Sequence, residues 1–435
     1  MGQEGKTQME AAMGVYDNDE VQTYVSELGL KIAANAERPH LPWSFTVVDD
    51  PIVNAFALPG GPVFVSRGIL THMNSEAELV SVLGHEVGHI TAKHTVRRIS
   101  NAQVANLGLG IGSILAGDYG RDVAQIGGAS LQILFLSYGR GDESQSDDLG
   151  FRYMQELGYD VREMPAMFRI LQRVSGPSAI PEWQSTHPDP GNRIAVTEAR
   201  IAALPPGSLD GTRVGRDRFL DMIEGMPFGE DPRQGYMDGN TFIHPALGFR
   251  MDAPPDWSVQ NSPQSVIVFP ETKDAYLQMT MVGQEAPTVL AAKFYADENI
   301  GGGPAESVRI HGLDASVGDF RARTENGMIY GRAAFIWHGG NTYGLFGLAD
   351  KGGYNKYRSV FESVIASFQN ESRQEKLEVE PDRIRLVRLE KAMSLADFQK
   401  AYPSTVSLDQ LAIINGIDDS STRIPAGTRL KRVAR

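Results

Sequence analysis

The chain has 435 residues, of which 41% are hydrophobic and 22% charged, the balance of a globular protein of two to four domains. A net charge of −13 with no compensating basic stripe excludes nucleic acid as a main partner. With no cysteine, disulfides and thiolate ligands are also excluded, so any metal site has to use histidine and carboxylate.

No apolar run reaches the ~18–20 residues of a membrane span. The first residues, Met1 to Lys6, carry no apolar signal core. Such a polar start fits a chain whose export signal or lipid anchor has been cut away. From Asp19 to about Glu37, residues Val21, Tyr24, Val25, Leu28 and Ile32 fall on one stripe, which predicts an amphipathic helix packed on a core. Trp43–Val48 alternates as a strand, Val53–Leu58 as a second, and Pro62–Ser66 as a third after a turn at Gly60-Gly61. The edge of this group is a candidate cradle for an extended peptide by strand addition, with a plain structural hairpin as the equal alternative.

Ser75-Glu76-Ala77-Glu78 reads as a capping box, opening a helix expected to run to about Ser100. In it stands His85-Glu86-Val87-Gly88-His89. Residues four apart share a helix face, so His85 and His89 can reach one metal ion. Glu86 then projects beside that ion, where a carboxylate can take a proton from attacking water.

Val104–Leu115 and Ala124–Leu136 are apolar and glycine-containing; we read them as mobile or partly buried elements, with peripheral membrane contact as the weaker alternative. Helices are expected over Glu143–Leu157, Val161–Arg173 and Asn192–Ala203. The stretch Ser185 to Pro190 is a loop because Pro188 and Pro190 block regular structure. Leu204–Ser208 closes this part, and a short helical connector lies near Arg216–Glu224. From about Asn240 the pattern turns to strands, interrupted by helices at Thr288–Glu298 and Tyr354–Phe368, which predicts an antiparallel α+β unit. His244, His311 and His338 in it are scattered and read as structural. Glu371–Glu380 reads as a charged linker. The remainder follows the order strand, helix, helix, strand and resembles a LysM-type module, a kind that binds peptidoglycan-like glycans; a packing domain without glycan binding is the equal alternative.

A hydrolytic zinc site wants a third protein ligand and an open position. A histidine six residues beyond His89 would give the metzincin pattern, but Thr95 stands there. On a continuing helix, His94 would lie about 140° round from His89, off the metal's face, which makes it a surface or second-layer residue. Glu143 opens a later helix with Asp147 four residues on, so Glu143 can bind the metal while Asp147 orients a ligand histidine. The plain alternative for Glu143 is a solvated carboxylate at a helix N-terminus. His187, on its proline-bounded loop, can act as a further ligand or as a donor to a developing oxyanion.

His85-Glu86-Val87-Gly88-His89, Glu143-Ser144-Gln145-Ser146-Asp147, His187-Pro188, Arg193-Ile194 and the upstream Asn54–Gly61 occur in an order that resembles the CAAX-prenyl-protease-type family of zinc metallopeptidases, in its soluble bacterial, periplasmic BepA-like branch. The resemblance covers about Gln8 to Ala203. It implies an α+β multidomain protein with a mainly helical zincin-type peptidase domain and a small β-sheet. It further implies Zn2+ held by His85, His89 and Glu143, Glu86 as general base and acid, and Asp147 behind a ligand histidine. His187 would cap the metal at rest or stabilise the tetrahedral intermediate. Arg193 would meet the oxyanion or organise the loop through a salt bridge. Ser146 stands where the family usually has alanine.

The division expected is a peptidase domain over residues 1–205, a connector over 206–239, an α+β domain of open role over 240–370, and a linker with the LysM-like module over 371–435. The expected function is zinc-dependent endopeptidase action on misfolded or unassembled cell-envelope polypeptides in the periplasm, restrained by His187. Peptidoglycan and envelope proteins are the other candidate partners. The alternative is a chaperone-like or peptidoglycan-associated binding protein whose metal site is mostly latent.

Overall fold

A computed structural model describes residues 2–97, 137–174, 187, 190–324 and 327–435. The N-terminal helix α1 (Gly2–Met13) buries Met9 against Val48, Phe56, Leu58 and Phe64. Helix α2 (Asp19–Asn35) begins where Asn18 accepts a hydrogen bond from the Val21 N–H. The stripe read from the sequence is its buried face: Val21, Tyr24, Val25, Leu28 and Ile32 are all in the core. Strands β1 (Ser44–Val48), β2 (Ala55–Ala57) and β3 (Pro62–Ser66) form a sheet in the order β1-β3-β2, with β1 parallel and β2 antiparallel to β3. β2 is an outer strand, yet every residue in it is buried.

Helix α3 (Arg67–His72) leads into α4 (Glu76–Thr91), which has no exposed residue. Ser75 Oγ accepts from the Glu78 N–H at 3.1 Å, while the Glu78 carboxylate turns back to the Asn74 N–H. Buried Glu76, at the positive end of the helix, receives the hydroxyls of Tyr24 (2.8 Å) and Tyr159 (2.6 Å). α4 stops at Thr91 rather than near Ser100. Ala92 and Lys93 form a turn, Lys93 adopts φ 62°, and a new helical turn starts at His94. The apolar period that predicted one long helix does not register a single left-handed residue.

Helices α5 (Arg140–Glu156), α6 (Glu163–Val174), α7 (Pro190–Ala202) and α8 (Arg216–Ile223) follow. The stretches Val104–Leu115 and Ala124–Leu136 lie outside the described residues. Among the described residues, no helix is long and apolar enough to cross a membrane.

Two compact units arise. Among the described residues, one contains everything up to Glu230 together with Pro381–Arg435, and the other is Asp231–Glu380. The final segment runs β4 (Arg383–Arg388), α9 (Leu395–Ala401), α10 (Leu408–Ile414) and β5 (Arg429–Ala434), with β4 antiparallel to β5. The sequence reading sets residues 371–435 apart, but the structure buries Ile384, Phe398, Leu411, Ile414 and Val433 in the same cluster as Ile69, Leu79, Leu83 and Met164. A period shows that a helix has an apolar face; it does not say what that face meets.

Lys431, fully buried, seals this junction by donating to Thr71 O at 3.0 Å and Met73 O at 2.6 Å. Burial drives its ammonium well below the usual range and pushes the neighbouring Glu78 carboxyl up to about 7.

The second unit has an antiparallel sheet in the order Ile300–Gly302, Leu313–Thr324, Gly327–His338, Asn341–Ala349, Ala275–Gly283, Ser265–Pro270, Trp257–Asn261. Alternate residues of Gly327–His338 face opposite sides. Ala333 and Phe335 pack with Leu290 of helix Pro287–Tyr295, while Ala334 and Ile336 pack with Phe361 of helix Lys351–Ser367. The linker expected at Glu371–Glu380 belongs to this unit. Buried Glu371 accepts from the backbone of Ser372 and Arg373 and from the Arg373 guanidinium, and Gln374–Leu377 is helical.

Replacing Lys431 by alanine takes the donor from the Thr71 and Met73 carbonyls in a dry interface. The expected loss is about 2–4 kcal/mol, read as a lower midpoint in urea denaturation. A parental midpoint would remove this residue from the account of stability.

Candidate metal centre

α4 turns His85 and His89 to one side, with their Nε2 atoms 2.9 Å apart. Glu143, in the first turn of α5, places Oε1 3.3 Å from His89 Nε2 and Oε2 3.6 Å from His85 Nε2. His187 brings Nδ1 to 3.0 Å from Glu143 Oε1 and 3.2 Å from His85 Nε2. One ligand atom from each of the four lies within 4.8 Å of all the others, and all four residues are buried. The reach of Glu143 depends on how closely the two helices approach. A Cβ added to Gly88 would stand 3.1 Å from the Ser146 Cα, and one added to Gly150 would stand 3.1 Å from the His85 N. Glycine at these positions lets the two backbones touch.

Behind the ligands, His85 Nδ1 donates to Asp147 Oδ1 at 2.8 Å. Arg193 from α7 grips Asp147 through Nε (2.8 Å) and Nη2 (2.7 Å), and its Nη1 lies 2.9 Å from Glu143 Oε2. Its guanidinium stacks over the Phe168 ring at 4.3 Å. The structure thus sets Arg193 on the two carboxylates. Glu86 is fully buried, with Oε1 3.6 Å from His187 Nε2.

Of the two places the sequence leaves to His94, the surface or a second layer, the structure takes the second: it is buried, with Nδ1 3.1 Å from His89 Nδ1 and 3.2 Å from Ser146 Oγ. The break at Lys93 turns it back towards His89. One residue, Tyr138, escapes the sequence reading. Tyr138 stacks its ring on His89, with centroids 3.7 Å apart and planes 23° apart. It precedes α5 in a non-helical stretch, where no period could single it out.

The electrostatics suit a cation. Burial drives His89 well below the usual imidazole range and His187 down to about 4, so both are neutral at pH 7. Burial raises the Glu143 carboxyl, but the neighbouring His187 and His85 imidazoles and the Arg193 guanidinium outweigh it and hold Glu143 well below the carboxylate range. The same contest, won by Arg193, lowers Asp147. Because His85 gives its Nδ1 proton to Asp147, its Nε2 carries a lone pair aimed at His89 Nε2. Converging nitrogen lone pairs and an ionised carboxylate are a donor set that fits a divalent ion such as zinc.

A His-Glu-x-x-His helix with a glutamate from a later helix set against it is the arrangement of a gluzincin-type metal centre. Residues 19–201 match the model of peptidase family M48. The mitochondrial metalloendopeptidase OMA1 of Arabidopsis thaliana is 35% identical over 193 residues, 43% of this chain and 38% of that one. The beta-barrel assembly-enhancing protease of Yersinia pestis is 30% identical over 211 residues, 46% of this chain and 43% of that one. Its counterpart in Escherichia coli strain K12 is 29% identical over 203 residues, 43% of this chain and 41% of that one. The chain thus spans less than half the length of these relatives.

Asp147→Ala should weaken metal binding by roughly 10–100-fold, the usual cost of losing a carboxylate behind a ligand histidine. Competition against a chromophoric chelator measures it, and unchanged affinity would show that Asp147 does not hold His85 for the ion.

Proposed function

We propose that the protein is a zinc-dependent endopeptidase whose resting site is shut by His187. The observation that supports this best is the buried convergence of His85, His89 and Glu143, with Glu86 beside them, in a segment that matches the M48 family. His85, His89 and Glu143 would hold the ion. When bound, zinc supplies Lewis acidity for the scissile carbonyl and lowers the pKa of water towards about 7.

The remaining work falls to the chain. Glu86 takes the proton of the attacking water and returns it to the leaving amine. Asp147 keeps His85 in its ligand tautomer, and Arg193 holds Asp147 and Glu143 in line. His187 lies against His85, Glu143 and Glu86 at once, on ground that a substrate carbonyl has to enter. Its withdrawal frees that ground; once displaced, the neutral imidazole can donate to the oxyanion.

The substrate class we infer is polypeptide, with misfolded or unassembled envelope proteins in the periplasm as its setting, because two of the relatives are named for enhancing β-barrel assembly. The complete burial of the site also supports a second reading, a binding or assembly factor whose metal centre stays latent. Incubation with casein, with and without a chelator, separates the two. Chelator-sensitive cleavage supports the peptidase, and binding without it supports the latent factor.

Glu86→Gln should retain its metal and lose peptide cleavage by about 10²–10⁴-fold; a variant that cleaves casein at the parental rate overturns the assignment. His187→Ala should raise the basal rate of casein cleavage. A fall would make His187 a stabiliser of the intermediate, and no change would remove it from the site.

A further inference from the structure

His94 lies outside the set that holds or attacks, yet it is buried against a ligand. We propose that His94 is the positioning residue of His89: its Nδ1 accepts the His89 Nδ1–H and so fixes the tautomer that turns Nε2 to the ion. This rests on the metallopeptidase reading above.

His89 can bind through Nε2 only with its proton on Nδ1. That N–H is buried and needs an acceptor, or the tautomer is lost. The His94 Nδ1 stands 3.1 Å from it. His94 can accept there only if its own proton sits on Nε2, and the surroundings of Nε2 put it there. Gln145 Oε1 lies 3.0 Å away and Asp142 Oδ1 3.4 Å. The carboxylate can only attract a proton, so the assignment holds whichever way the Gln145 amide is turned. The Ser146 Oγ lies 3.2 Å from the same Nδ1 and bounds the ring on that side.

The chain therefore runs from Gln145 and Asp142 through His94 to His89, and it reaches His89 because Lys93 breaks the helix. The two ligand histidines are held differently. A carboxylate, itself pinned by Arg193, stands behind His85, and an imidazole stands behind His89.

The test uses the full chain. Zinc affinity is measured by chelator competition for the parent, His94→Leu and His94→Asn, and the visible spectrum of each is recorded with cobalt(II) in place of zinc. Leucine removes the acceptor and should weaken binding by roughly 10–100-fold and shift the cobalt bands. Asparagine offers an oxygen near the lost Nδ1 and should restore most of both. Parental affinity in the leucine variant overturns the proposal, as does an equal loss in both variants, which marks a packing role.

Should the leucine variant not fold, long-range 15N–1H spectra of the zinc-loaded parent decide. His94 protonated at Nε2 and His89 at Nδ1 supports the proposal; His94 protonated at Nδ1 overturns it. A parent that binds no metal removes the metallopeptidase reading and this inference together, whereas normal parental binding beside indifferent variants removes this inference alone.

Discussion

The metal centre depends on two helices touching at backbone distance. Gly84 and Gly88 of α4 face Ser146 and Gly150 of α5, and a Cβ at Gly84 would stand 3.2 Å from the Gly150 Cα. Helices usually keep about 8–10 Å between axes because side chains stand between them. Here the first turn of α5 comes close enough for one short carboxylate to lie against both His85 and His89. The apolar support of α4 fixes the other half of the contact. Val80, Leu83 and Val87 are fully buried, and the tyrosines on Glu76 hold its start.

Electrostatics then complete what packing begins. Four imidazoles and three carboxylates meet in a dry space, and Arg193 offsets part of that charge by lying across two of the acids, Glu143 and Asp147. Arg193 owes its place to Phe168, whose ring it covers, and to α7, which presents it. The side chains that position the ligands thus come from α5, from α7 and from the turn after α4, three pieces of chain that meet only after folding.

Much of this was legible in the sequence. His-Glu-x-x-His and the i, i+4 pair Glu143/Asp147 are local spacings, and a helix turns local spacing into geometry directly. The patterns along Gly327–His338 and Thr342–Ala349 likewise announced strands of the second unit, the latter beginning one residue earlier in the structure. Strand Leu313–Thr324 was missed because Asp314, Asp319, Arg321 and Arg323 hide its apolar residues. The inward turn of His94 hangs on the backbone angle of Lys93, which lysine does not advertise. The destination of Arg193 could be narrowed to two by chemistry, but choosing between them needed the distance to Asp147. The sharing of one core by α4 and the segment after Pro381 is a tertiary fact that no window of sequence contains.

That shared core gives folding a direction in time. Lys431 holds the carbonyl of Met73 from 358 residues further along the chain. During synthesis the histidine-bearing helix emerges early, while the residue that clamps the turn before it arrives late. A growing chain therefore carries the His-Glu-x-x-His motif without the support that seats it.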